Sequence, residues 1–252
     1  MTTQDGAAQS YRAVVRTLAG AQKPALPGSP PYSVYVNRRA GRLIAAWAYR
    51  AGLSPNAVTG ISAVLTFSGI LVIALVPTAP WVGLVVWLLL ALGYAFDSAD
   101  GQVARLAGGG SPAGEWLDHV VDSAKISALH LAVAVAMFRF FGFSSAAWLL
   151  IPVLYVVVAN VTFFGMILND LLRAARGGSS DRTPGSRSAL KTLLLVPTDY
   201  GVLCLVFLLL GWPALFTIVY GLFFVANLGA LGIALPRWFR QMRELGRKSD
   251  VR

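Results

Sequence analysis

The chain has 252 residues, 56% of them hydrophobic and only 13% charged, with 21 Lys and Arg against 11 Asp and Glu for a formal net charge of +10. A mean hydropathy of +0.65 is too apolar for an ordinary water-soluble domain. The basic balance does not make it a nucleic-acid binder either, because the cations are sorted by position along apolar spans and no nucleic-acid motif is present.

From the N-terminus, residues 1–33 are rich in Gln, Ala, Gly and Pro and read as a poorly ordered cytoplasmic tail, without the charged-then-apolar pattern of a cleavable leader. Val34 to Leu53 alternates apolar and basic positions at helical spacing, which predicts an amphipathic helix lying on the membrane surface. Six stretches then approach the length of about 20 residues needed to cross a bilayer. They run from Asn56 to Val76, Trp81 to Arg105, Ser111 to Phe141, Ala146 to Leu172, Leu190 to Leu210 and Pro213 to Leu235. The expected fold is an all-α integral membrane protein: one domain over residues 34–240, then a basic cytoplasmic tail at 241–252. The single cysteine, Cys204, falls within the fifth span and rules out an internal disulfide.

Seven of the Lys and Arg precede the first span, five lie between Arg173 and Lys191, and six follow the last span. By the positive-inside rule both termini face the cytoplasm, as expected for a multi-pass protein of the plasma membrane, with the cations drawn to anionic lipid.

One stretch conflicts with this apolar background. DSADGQVARLAGGGSPAGEWLDHVVD, from Asp97 to Asp122, places four aspartates, a glutamate and an arginine where the second span ends and the third begins. Gly108, Gly109, Gly110 and Pro112 suit a turn, and folding the sequence about Gly109 sets Asp100 beside Asp118. Asp97, Asp100, Gly101 and Ala104 share one helix face at i, i+3, i+4, i+7, and Asp118 and Asp122 share another at i, i+4. An ionised Asp at the centre of a spanning helix costs about 2.5–3.5 kcal/mol, and one Arg cannot offset four of them. All-oxygen carboxylate sites suit hard cations such as Mg²⁺, Mn²⁺ or Ca²⁺, and four carboxylates could hold two ions. Such a cluster next to an Arg and a glycine-rich turn at the membrane surface suggests phosphate chemistry, with one carboxylate free to take a proton from an attacking hydroxyl.

These residues resemble the CDP-alcohol phosphotransferase family, whose pattern DxxDGxxARx8GxxxDxxxD is matched at Asp97, Asp100, Gly101, Ala104, Arg105, Gly114, Asp118 and Asp122. SPNAVT, from Ser54 to Thr59, is similar to a short element at the first span of many members. The resemblance implies transfer of a phosphatidyl group from CDP-diacylglycerol to a polyol or polyol phosphate, inositol phosphate and glycerol phosphate foremost, with release of CMP. It implies Asp97, Asp100, Asp118 and Asp122 as ligands of Mg²⁺ or Mn²⁺, two ions being expected, with Asp122 also the general base. Asn56, Thr59, Gly101, Ala104, Arg105 and Ser111 would bind the CDP-lipid, and a homodimer is expected. Many bacterial members that use a phosphorylated polyol have a basic residue directly after the last Asp; here Ser123 and Ala124 intervene before Lys125.

Lys125, deep in the third helix and three residues after Asp122, reads either as lining the acceptor pocket or as a structural ion partner of Asp122. Arg187 and Lys191, in the basic loop before the fifth span, are further acceptor-binding candidates, the alternative being a solvated linker. Asp199 reads as a satisfied polar group at a kink or as pocket lining, and His119 and His130 as packing residues. Two other functions remain open on the residues alone: an intramembrane Mg²⁺-dependent prenyltransferase, which CMP release against pyrophosphate release would separate, and a cation transporter, for which metal flux would be the sign.

Overall fold

A computed structural model describes residues 10–21, 30–176 and 196–249, and their regular structure is entirely helical. Helix α1 spans Tyr11–Gly20. A π-helical turn, Ser33–Asn37, leads into α2, Arg38–Arg50. Then come α3 (Pro55–Leu75), α4 (Pro80–Leu106), α5 (Pro112–Phe140) and α6 (Leu150–Ala175). A short helix α7 (Tyr200–Val206) and the long α8 (Pro213–Ser249) complete the chain.

The termini of these helices are written in the sequence. Ser54 caps α3 by accepting from Ala57 N at 3.2 Å, Ser111 caps α5 by accepting from Gly114 N at 3.1 Å, and each is followed by a proline in the first turn. Between α4 and α5, Gly108 and Gly109 adopt φ of +99° and +127°, a region that side-chain-bearing residues avoid, so the predicted turn depends on glycine.

Five helices among the described residues are long and apolar enough to cross a membrane: α3, α4, α5, α6 with the 3₁₀ turn before it, and α8. The fifth predicted span is represented among the described residues by a 3₁₀ turn, Val196–Thr198, and the shorter apolar run Tyr200–Gly211, α7 and a second 3₁₀ turn, which starts at the cap Asp199. Residues 190–195 of that span lie outside the described residues.

At the N-terminus the structure departs from the expected poor order. Tyr11–Gly20 is helical because Ser10 caps Ala13 N and because Val14 and Leu18, one turn apart, are both buried against Ala45, Ala46 and Ala48 of α2. The tail looked polar on average, yet Val14 and Leu18 fall on one stripe.

The amphipathic segment forms as expected, but its small residues face inward. A Cβ on Gly41 would lie 2.8 Å from Ser98 Oγ, so α2 rests directly on the part of α4 that carries the acidic motif, while Leu43 and Trp47 are each 51% exposed. Close approach also joins α3 to α4: a Cβ on Gly93 would collide with the Thr66 hydroxyl, and Ser62 Oγ donates to Gly93 O at 2.8 Å.

Candidate active site

The glycine turn reverses the chain between α4 and α5, both of which pack on α3, and places Asp97, Asp100 and Asp118 so that one carboxylate oxygen from each lies within 4.8 Å of the others. Asp100 is fixed by two donors, the Thr59 hydroxyl at 2.7 Å to Oδ2 and its neighbour's backbone, Gly101 N, at 2.5 Å to Oδ1. Thr59, expected to touch the CDP-lipid, is buried and acts on the site by holding a carboxylate in place.

Asp122 stands apart from this trio. Its Oδ1 accepts from Lys125 Nζ at 3.1 Å, and the same ammonium donates to Asp97 Oδ1 at 2.5 Å and to Ser62 Oγ at 3.0 Å. Spacing along α5 exposed the first of these contacts; the other two cross to α4 and α3. Lys125 also lines a cavity, so the two readings of this residue are not exclusive.

Ser62 escaped the sequence reading. Its signal is present all the same: Thr59, Ser62 and Thr66 recur at i, i+3, i+7 along an apolar helix, and all three are buried.

Two cavities flank the carboxylates. The larger, about 860 Å³, is walled by Asp100 and Asp118 together with Asn56, Thr59, Gly101, Ala104, Arg105 and Ser111, so every residue expected to bind the CDP-lipid lines a single space. Glu115, in the first turn of α5, borders it too. Gly114 earns its place in the pattern sterically, since a Cβ there would come within 3.2 Å of both Asn56 Oδ1 and Ser111 Oγ. The smaller cavity, about 370 Å³, is walled by Asp97, Asp122 and Lys125 and then by Tyr94, Tyr155, Tyr200, Thr66, Thr162 and Asn227. Lys125 is the one Lys or Arg among the described residues that line it. Arg187 and Lys191 lie outside the described residues.

Asp199 is fully buried and serves two helix starts at once. It caps α7 by accepting from Gly201 N at 3.0 Å, and its other oxygen accepts from Tyr32 N at 2.7 Å and Ser33 N at 3.3 Å at the head of the amphipathic segment. It borders the smaller cavity while its charge is already satisfied. His130 is also structural: buried, it stacks on Tyr155 with centroids 4.0 Å apart and shares a 2.5 Å hydrogen bond with the Tyr220 hydroxyl. His119 stays near the surface of α5, 3.8 Å from Asp118 and edge-on to Phe163.

The donor set is compatible with a hard divalent cation. Three carboxylates from two antiparallel helices converge with oxygen atoms only, and no thiol or imidazole belongs to the cluster.

Comparison with curated protein sequences returns no match. Among solved structures, the chain is similar to the phosphatidylinositol phosphate synthase of Mycobacterium tuberculosis in complex with manganese and citrate, with 20% identity, a TM-score of 0.48, and 78% of this chain and 87% of that chain covered. A second structure of that synthase, with CDP-DAG bound, gives 20% identity and a TM-score of 0.47 over 81% of this chain and 94% of that one. The family description CDP-alcohol phosphatidyltransferase matches residues 53–233, from the capped start of α3 into α8 and so across both cavities and the carboxylates between them: the chain belongs to that family and is a multi-pass membrane transferase of substituted phosphate groups.

Proposed function

We propose that the protein transfers a phosphatidyl group from CDP-diacylglycerol to a hydroxyl of a polyol or polyol phosphate, inositol phosphate and glycerol phosphate foremost, with release of CMP. The observation that carries this reading is the position of the carboxylates between two cavities of different chemistry. An in-line displacement at phosphorus needs leaving group and nucleophile on opposite sides, and each has a space of its own.

The larger cavity suits the nucleotide diphosphate. Arg105 offers a charge-assisted contact to phosphate, and the Gly109–Gly110 turn lets a ligand approach the backbone. Asn56 and Ser111 add polar atoms at the starts of α3 and α5. The diacylglycerol chains would remain in the bilayer beside the apolar outer faces of the helices.

The smaller cavity suits the acceptor. Tyr, Thr and Asn side chains offer hydrogen bonds to hydroxyls, and Asp122 lies in the wall where a bound hydroxyl would give up its proton. Lys125 donates a hydrogen bond to Asp122 and orients that carboxylate in the cavity wall. Asp97, Asp100 and Asp118 would hold Mg²⁺ or Mn²⁺, which when bound supplies stabilisation of the charge developing on the phosphate oxygens and on departing CMP. We place the enzyme in the plasma membrane with both termini in the cytoplasm, acting as a homodimer.

The test is to give purified protein CDP-diacylglycerol, Mg²⁺ or Mn²⁺, and separately inositol phosphate, glycerol phosphate, serine and free polyols. CMP release that depends on one acceptor, with the product lipid identified by mass, supports the reading. CDP-diacylglycerol left unconsumed with every acceptor and either metal overturns it.

A further inference from the structure

Lys125 is an unusual neighbour for a metal site. Its side chain is largely buried in the middle of a spanning helix, yet its three ammonium hydrogens have three acceptors: Asp97 Oδ1 at 2.5 Å, Ser62 Oγ at 3.0 Å and Asp122 Oδ1 at 3.1 Å. The convergent oxygens that could take an ion come from Asp97, Asp100 and Asp118, and Asp122 contributes none to that group.

Resting on the phosphatidyl-transfer reading above, we propose that the Lys125 ammonium is a resident cation of this site. It occupies the position between Asp97 and Asp122 that a second divalent ion would need, so the chain takes a single divalent ion, on Asp97, Asp100 and Asp118.

Three physical features point the same way. An ion shared by Asp97 and Asp122 would have to sit about 2.0–2.1 Å from an oxygen of each, in the space that Nζ already fills. In two-metal sites the ions stand about 3.5–4 Å apart, and here that neighbour of the first ion is an ammonium, which repels a second divalent charge. The lysine is also held from three sides by α3, α4 and α5, and Ser62 is itself anchored to Gly93 O at 2.8 Å, so moving Nζ away breaks a connected set of buried hydrogen bonds. The consequence for the reaction is a division of labour: three aspartates serve the metal, and Asp122, oriented by Lys125, is left free for the acceptor proton.

The experiment counts ions. Full-length protein in detergent micelles or nanodiscs is titrated with Mn²⁺, with and without CDP, and the bound ion is quantified by electron paramagnetic resonance and by elemental analysis. One Mn²⁺ per chain is expected for the wild type and none for Asp118→Asn at the same concentration. Lys125→Met, of similar length and without charge, is expected to take two ions with the line broadening of a coupled pair. Two coupled ions in the wild type overturn the proposal, as does a folded Lys125→Met that still binds one. Should Lys125→Met fail to fold, the wild-type count alone decides. CMP release is measured separately: one bound Mn²⁺ with no consumption of CDP-diacylglycerol would remove the phosphatidyl-transfer reading and leave the ion count standing.

Discussion

The two halves of the bundle are built on different terms. In each of α3, α4 and α5, 39% of the most apolar stretch is buried, whereas the figure is 17% for α6 with the turn before it and 11% for α8. α3, α4 and α5, which carry the hydroxyls and carboxylates of the site, are therefore the inner helices and α6 and α8 the peripheral ones, although α6 is as apolar as α3. A bilayer favours that sorting, because a polar group facing lipid costs far more than an apolar group facing another helix. The means of packing differ as well. The inner half relies on small residues, Gly41 against Ser98 and Gly93 against Thr66, which bring backbones together and fix the site's depth. The outer half fills volume with rings, as where Phe216, Tyr220 and Tyr155 pack around His130.

Damage should therefore fall off steeply from the first half to the second. The largest effect is expected for Asp122→Asn, which removes the proposed base and should lower CMP release by about 100-fold or more while the protein still elutes as a folded species. Next comes Thr59→Val, which deletes the hydroxyl that orients Asp100; Mn²⁺ affinity should weaken by roughly 10- to 100-fold, and Thr59→Ser should restore most of it. Gly93→Ala should cost about 1–3 kcal/mol in thermal or denaturant unfolding, because its methyl group meets the Thr66 hydroxyl where α3 and α4 touch. Smallest is Leu222→Ala on α8, a side chain 64% exposed in the structure, with an expected change within about 0.5 kcal/mol and unaltered CMP release. An effect at Leu222 as large as that at Gly93 would break the comparison and mark α8 as a covered face.

Legibility in the sequence follows the same division. The hairpin could be read because its signals are local: glycines and a proline for the turn, and carboxylates at helical spacing on either side. That spacing put four carboxylates at one level; oxygens of Asp97, Asp100 and Asp118 converge, whereas Asp122 stands apart and accepts from Lys125. It could not predict that Lys125 would reach past Asp122 to Asp97 and Ser62, because those contacts depend on the rotation of α3 and α5 about their own axes, which is fixed by close approaches such as Gly93 on Thr66. The helix Tyr11–Gly20 was hidden by averaging, two buried apolar residues being diluted among polar ones. Asp199 was legible as a buried charge but not as a double cap, because its partners at Tyr32 and Ser33 lie 167 and 166 residues away in the chain.

That double cap sets an order of events during synthesis. The head of the amphipathic segment leaves the ribosome early, but the carboxylate that receives its N–H groups emerges only after four long apolar helices have been made. Until then Tyr32 and Ser33 have no anchor on α7, although Arg38–Arg50 can already seat on α4 through Gly41 and Ser98. Seating of the N-terminal clamp is thus a late step in biogenesis. A nascent chain stalled before Asp199 should leave the bonds around Tyr32 and Ser33 open to protease, and one stalled well beyond it should not.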